Sequence, residues 1–188
     1  MEPPAHPNEA ESPTSRAGGE QQRAMQPEAI PPLDRDFQMR IARDGTWFYR
    51  GSPIGRPALV KLFSTVLRRD DEGAFWLTTP VENGRIEVED SPFIAVEVMR
   101  EGEGANQVLK FRTNVDDVIP LDAAHPLRVA ESADHEPRPY ILVRDGLEAR
   151  LARPVFYELV AIAEPDAQAP DIIGVRSAGR FFALGRTQ

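Results

Sequence analysis

Apolar residues first recur with a readable period just after Leu33. Phe37, Met39 and Ile41 alternate with Gln38 and Arg40, the period-2 pattern of a half-buried strand. Asp44-Gly45 supplies the positive-φ turn of a hairpin, and Trp47-Phe48-Tyr49 is its return strand. Residues 51–55 form a proline-containing connection. Pro57 then stands where a helix starts, since its missing N–H costs nothing in a first turn. Leu59, Leu62, Phe63, Val66 and Leu67 follow at helical spacing, with Lys61, Ser64 and Arg68 on the other side. Asp70, Asp71 and Gly73 end that helix, and residues 74–79 read as a short, nearly continuous apolar strand.

The second half carries more strands. Residues 81–88 suggest a hairpin over Asn83-Gly84. Residues 93–99 and 108–113 are strands joined by a polar turn at 101–106. Residues 120–139 are loop-rich, with one strand at 127–130. Residues 140–143 and 147–151 flank Asp145-Gly146 as a further hairpin. Pro154 opens a helix to about Ala163 with Val155, Leu159, Val160 and Ala163 inward. Strands at 172–176 and 181–184 flank a turn at Ser177-Ala178-Gly179.

These halves share an order of features. Arg43-Asp44-Gly45 matches Arg144-Asp145-Gly146, and Arg56-Pro57 matches Arg153-Pro154, each ahead of an apolar helix. Gly73-Ala74-Phe75-Trp76-Leu77 matches Gly179-Arg180-Phe181-Phe182-Ala183-Leu184 with one insertion. Internal similarity of this kind suggests duplication. The expectation is an α+β chain of duplicated hairpin–helix–strand units with mainly antiparallel sheets. Its domains are expected at 33–82 and 83–188.

Composition changes the picture only at the N-terminus. Residues 1–29 contain no Val, Leu, Ile, Phe, Tyr or Trp, and seven of the 18 prolines lie within the first 32 residues. Such a segment cannot bury enough apolar surface to offset its ordering entropy, so 1–32 are expected to be a disordered, acidic tail. The absence of cysteine removes disulfides, thiolate catalysis, Cys-ligated zinc and iron–sulfur clusters. A net charge of −8 argues against a nucleic-acid partner. Twenty arginines against Lys61 and Lys110 read more simply as genome composition than as phosphate recognition. Neither a leader pattern nor an apolar run long enough for a membrane span is visible, which suggests a cytoplasmic protein with no membrane partner.

Candidate chemistry is sparse. No phosphate-cradling Gly-x-x-x-x-Gly-Lys-Ser/Thr loop exists. Gly102-Glu103-Gly104 lacks the third glycine, having Gln107 instead, and Ser177 misses the nucleophile-elbow spacing. His125 and His135, with Asp134 and Glu136, could at most hold a metal weakly. No catalytic residue, metal site or cofactor is therefore assigned. An enzyme is the less favoured reading, and a hydrolase built on Glu87, Glu89 and Asp90 ranks lowest.

Two polar clusters remain. Thr78 and Glu82 follow an apolar strand, and Asp90 precedes Ser91-Pro92-Phe93, places where a sheet presents contacts. Arg144, Arg150 and Arg153 fall on or near the second hairpin, and Arg43 and Arg56 are the counterparts of Arg144 and Arg153. If the copies pack about a pseudo-twofold, matched arginines converge on a cleft whose forks suit a phosphate or carboxylate. The alternative is a solvated face paired with Glu148 and Glu158. The expected ligand-binding set is Arg56, Thr78, Glu82, Asp90, Arg144, Arg150 and Arg153, and the expected ligand is small and anionic. A ligand-binding regulatory module leads. A protein–protein adaptor using exposed hairpins or a sheet edge is the alternative.

Several stretches carry a family resemblance. Residues 44–54, 59–64, 78–82, 88–93 and 144–150 resemble the bacterial domain-of-unknown-function family 1285, over about residues 36–185. The resemblance implies a two-domain α+β fold with internal duplication and a second domain loosely like pleckstrin-homology folds. It also implies a site between the domains for a nucleotide-like molecule, and a signalling role.

Overall fold

The computed structural model describes residues 33–131 and 136–187, so the expected tail lies outside the described residues. The alternating segment forms β1 (Leu33–Ile41), which turns back through β2 (Trp47–Tyr49) and β3 (Ser52–Pro53). Gly45 at the first turn has φ of 85°, and Asp44 accepts the Thr46 N–H at 2.9 Å. Helix α1 (Pro57–Thr65) follows, with proline in its first turn. Strands β4 (Leu67–Arg69), β5 (Phe75–Thr78) and β6 (Glu82–Val88) complete a sheet of order β3-β2-β1-β6-β5-β4. The β1–β6 contact is parallel, and the other neighbours are antiparallel.

Three sequence expectations are corrected in this sheet. The helix stops at Thr65, and Leu67, fully buried, already pairs with Leu77 in β4. The buried stripe of α1 is also rotated from the expected one: Leu62 is 60% exposed, whereas Ser64 is buried. Its hydroxyl donates to the Lys61 carbonyl at 2.7 Å, which satisfies it inside the helix. No hairpin forms over Asn83-Gly84. Both lie within β6, the strand between β1 and β5, so this sheet runs past the 82/83 boundary to Val88.

Strands β7 (Phe93–Glu101), β8 (Val108–Thr113), β9 (Val118–Pro120), β10 (Leu127–Glu131), β11 (Pro137–Arg144) and β12 (Leu147–Leu151) form a second sheet. Its order is β10-β11-β12-β7-β8-β9, with β12 and β7 parallel. Numbered from its own first strand and read from the β9 edge, this order repeats that of the first sheet. Helix α2 (Arg153–Ala161) buries Val155 and Leu159, but Val160 is 41% exposed rather than inward. Strands β13 (Glu164–Pro165), β14 (Ile172–Ser177) and β15 (Arg180–Arg186) form a separate antiparallel sheet, set against β10 through β15 and against β8 through β14. Ser177 belongs to β14 rather than to the turn. It is buried, donating to the Leu121 carbonyl at 2.6 Å and accepting the Leu109 N–H at 2.9 Å.

The matched hairpin–helix–strand segments thus diverge after their helices. Strands following α1 return to the first sheet, while those following α2 build the third. One hydrophobic cluster runs through both large sheets, from Met39, Ile41 and Trp47 to Phe93, Phe111 and Leu147. The described residues fall within one compact unit.

Candidate functional site

The junction between the two large sheets is polar at its surface and tightly paired. Glu89 pairs with Arg40 and accepts the Arg43 N–H at 2.9 Å. The Arg43 N–H bond, then Arg40, hold its carboxyl below the usual range against a smaller opposing effect of burial. Asp90 accepts the Tyr140 hydroxyl at 2.7 Å, and its other oxygen lies 2.9 Å from Arg150 Nε. That second contact is an ion pair without hydrogen-bond geometry, since neither atom has a hydrogen-bond partner. Burial, then the bond to Asp90, push the Tyr140 hydroxyl up. Arg128, Tyr140 and Arg150 stand in one cross-strand row over β10, β11 and β12. Arg128 grips Glu148 through two 2.6 Å bonds and stacks on the Tyr140 ring at 4.2 Å.

Arginine side chains also cross the junction. Arg144 Nη2 donates to the Ser64 carbonyl at 2.7 Å, Nη1 to Asp117 at 3.2 Å, and the guanidinium lies over the Phe93 ring. Arg150 Nη2 donates to the Arg43 carbonyl at 2.8 Å. On the other side Arg69 donates to the Gly146 carbonyl at 3.2 Å, and Lys61 pairs with Asp116.

Of the seven expected ligand-binding residues, the structure brings together only Asp90 and Arg150, with Arg144 elsewhere on the same junction. Arg153 is exposed and pairs with Glu136 at 2.7 Å. Arg56 is exposed just before α1. Thr78 ends β5, and Glu82 begins β6, where it lies 3.3 Å from Arg35. Arg144 and Arg150 are thus engaged with protein carbonyls and carboxylates, whereas Arg56 and Arg153, the other matched pair, are exposed. A depression of about 420 Å³ at the junction, lined by Arg69, Asp70, Asp71, Gly73, Asp145 and Gly146, contains none of the seven. Among the described residues no group of three or more His, Cys, Asp or Glu side chains could hold a metal. His125 instead contacts Asp122 at 3.0 Å, and Asp134 and His135 lie outside the described residues.

Open volume lies inside the first sheet. Asp36 pairs with Arg85 and Arg40 with Glu87, so three residues of β1 stand against the single residue Ile86. This wide bulge places Gln38 at φ of 51°, its N–H held at 2.7 Å by the Asp36 carboxylate and its carbonyl accepting the Arg50 N–H at 2.9 Å. Extra residues of this kind bend a strand and open its pairing. A cavity of about 630 Å³ lies between the sheet and α1, with Phe37, Met39, Ile54, Leu59, Phe63 and Leu77 in its wall. A more polar cavity of about 700 Å³ takes in Arg40, Arg50, Arg85 and Glu87. Asp36, Gln38, Met39 and Arg50 line both.

Of the seven expected residues only Glu82 lines the first of these cavities, because the alternation of Phe37, Met39 and Ile41 looks like an unbroken strand and hides the rest of the place. One signal was present: Asp36, two residues before Gln38, is the residue type that turns a chain through its own side chain.

Comparison with known proteins follows this geometry. Residues 28–91 match the model of the N-terminal domain of DUF1285, a domain of unknown function, and residues 92–184 match that of its C-terminal domain. The boundary between the two falls in the link after β6, as the sheets require. A crystal structure of a DUF1285 family protein from Silicibacter pomeroyi DSS-3 shares 44% identity over 85% of this chain and 88% of that one, with a TM-score of 0.77. A second, from Shewanella baltica OS155, shares 26% identity over 65% and 90%, with a TM-score of 0.53. No curated protein matches.

Proposed function

The chain belongs to the DUF1285 family, and from that premise we propose that it is a binding module for a small anionic ligand, without chemistry of its own, whose site is the paired cavity of the first sheet. The observation that carries this reading is the bulge itself. It lies in the shared wall of a mainly apolar and a more polar chamber, with Arg50 lining both. Both volumes fall in the range of about 300–1,000 Å³ typical of small-molecule sites. A left-handed glutamine in a strand costs about 1–2 kcal/mol, and strain of that size persists where it serves a site. The junction between the sheets, by contrast, offers its arginines no vacancy.

Within this reading the protein acts in the cytoplasm as a regulatory or signalling component, as the family resemblance implies. The shared strand order of the two large sheets supports an internal duplication, with the unit a pair of three-stranded meanders rather than the hairpin–helix–strand segment. The third sheet, set against both β8 and β10 of the second, supports the pleckstrin-homology likeness.

Thermal shift of the full chain tests the reading, with nucleotides, carboxylates and phosphate esters each at about 1 mM. A ligand with a Kd of about 10 μM stabilises by about 2.7 kcal/mol there, a shift of several degrees. A flat response across the panel would overturn it.

One observation favours the adaptor alternative. Tyr157, Val160 and Ile162, 63%, 41% and 43% exposed, lie on or just beyond α2. A stoichiometric partner lost on Tyr157→Glu, with no small-molecule stabilisation, would decide for the adaptor.

A further inference from the structure

Resting on that reading, we infer that the ligand is a single-chain anionic amphiphile, its hydrocarbon chain beneath α1 and its head group at Arg50. The surface exposed in the first chamber is mostly apolar, from Phe37, Met39, Ile54, Leu59, Phe63 and Leu77, while Arg35, Asp36, Gln38, Arg50, Thr79 and Glu82 also border it. A nucleobase buried among the six apolar side chains would leave most of its hydrogen-bonding edge unpaired there, which is strongly unfavourable. A hydrocarbon chain carries no such groups. Methionine and leucine adapt to a flexible chain, and Phe37 and Phe63 supply broad apolar contact.

Charge decides the other end. Arg35 is engaged by Glu82 and Arg40 by Glu89, while Asp36 is committed to the Gln38 N–H. Among the described residues Arg50 and Arg85 have no carboxylate partner in the structure. The Arg50 guanidinium lies over the face of its neighbour Tyr49, at 5.2 Å. Among the described residues Arg50 is also the one arginine that lines both chambers. A carboxylate or phosphate at Arg50 therefore meets an uncommitted guanidinium, and Arg85 and the Glu87 carboxylate both border the more polar chamber beside it. The left-handed pair Arg50-Gly51, with φ of 47° and 79°, fixes the Arg50 backbone at the tip of the β2–β3 turn.

Isothermal titration of the full chain with octanoate, decanoate and dodecanoate, each below its aggregation threshold, tests the inference. Each added methylene should lower Kd about four-fold until the chamber is full. Decanol should bind at least five-fold more weakly than decanoate. Arg50→Asn keeps a residue type suited to the left-handed backbone and removes the charge. It should weaken decanoate about ten-fold and leave decanol unchanged. Ile54→Trp, which narrows the chamber, should abolish the dependence on chain length, with circular dichroism confirming that it folds. A flat chain-length series, or decanoate binding indifferent to Arg50→Asn, overturns the inference. If the acids fail while AMP still stabilises the protein, only the amphiphile assignment falls. If no small anion binds, the ligand-binding reading falls with it.

Discussion

Arg144 Nη2 donates at 2.7 Å to the carbonyl oxygen of Ser64, one of the last carbonyls of α1. Those carbonyls carry the negative end of the helix dipole, so a guanidinium suits Ser64 O even beside the backbone N–H it accepts at the helix end. The residue that sequence comparison singled out as a ligand-binding arginine is therefore a clamp between the second sheet and the helix of the first. Arg150, reaching the Arg43 carbonyl at 2.8 Å, repeats the device on the β1–β2 turn.

Arg144→Ala should cost about 1–2 kcal/mol, the net worth of charge-assisted hydrogen bonds discounted for partial exposure. Arg144→Lys should recover less than half, since a single ammonium cannot serve Ser64, Asp117 and the Phe93 ring together. Because one hydrophobic cluster links the sheets, urea should unfold both variants in a single transition. A biphasic curve would mean that the halves are held mainly by these arginines.

Tyr140→Phe tests the other clamp. Removing the hydroxyl deprives the Asp90 carboxylate of its 2.7 Å donor and should cost about 1–2 kcal/mol at neutral pH. Burial and Asp90 raise the tyrosine above its ordinary value of 10.0, so the folded state favours the neutral ring. That contribution is complete below pH 10 and is lost as pH rises through the higher folded value. Wild-type stability should therefore fall more steeply than that of the phenylalanine variant above pH 10. Parallel slopes in alkaline urea titrations would contradict the assignment.

Much of the fold was legible because hairpin turns and helix starts are written locally. Asp44-Gly45, Asp145-Gly146, Pro57 and Pro154 all mark the elements they were read to mark. Strand partnership is not local. Nothing within residues 82–88 tells that β6 will sit between β1 and β5, and Asn83-Gly84 even imitates a turn. Gly84 is glycine for a different reason, the Phe37 ring that lies directly over it. The candidate site was less legible still. Arginine position along the chain says nothing about whether a guanidinium faces solvent or a neighbouring carbonyl, and a cavity made by a register break leaves no periodic trace.

Glu89→Gln should reshape the acid limb. The Arg43 N–H and Arg40 depress the folded carboxyl below its ordinary 4.5, so its stabilisation is complete above pH 4.5 and lost as pH falls through the lower folded value. The glutamine variant should be less stable than wild type near pH 6, with the difference shrinking as pH drops below 4.5. Thermal melts between pH 3 and 6 measure it. A gap that stays constant would show that Glu89 acts through shape rather than charge.

Gly84→Ala and Gly179→Ala separate two ways in which a glycine can be required. Gly179 has φ of 72° in the β14–β15 turn, and a Cβ there would meet nothing within 4 Å. Its alanine variant should lose about 1–2 kcal/mol, the cost of a left-handed L-residue, and leave ligand binding untouched. Gly84 has no positive φ, but a Cβ would fall 1.9 Å from Phe37 Cδ2, so the whole ring must move. Phe37 is half-buried and borders the chamber under α1, which gives the ring somewhere to go. The expected cost of Gly84→Ala is therefore about 1–3 kcal/mol of overpacking, softened by the available space. A ring displaced into the chamber shortens the room for a hydrocarbon chain. Dodecanoate should then lose more affinity than octanoate in Gly84→Ala, while both acids bind Gly179→Ala as they bind wild type. Equal losses for the two acids would place Phe37 outside the chain's path.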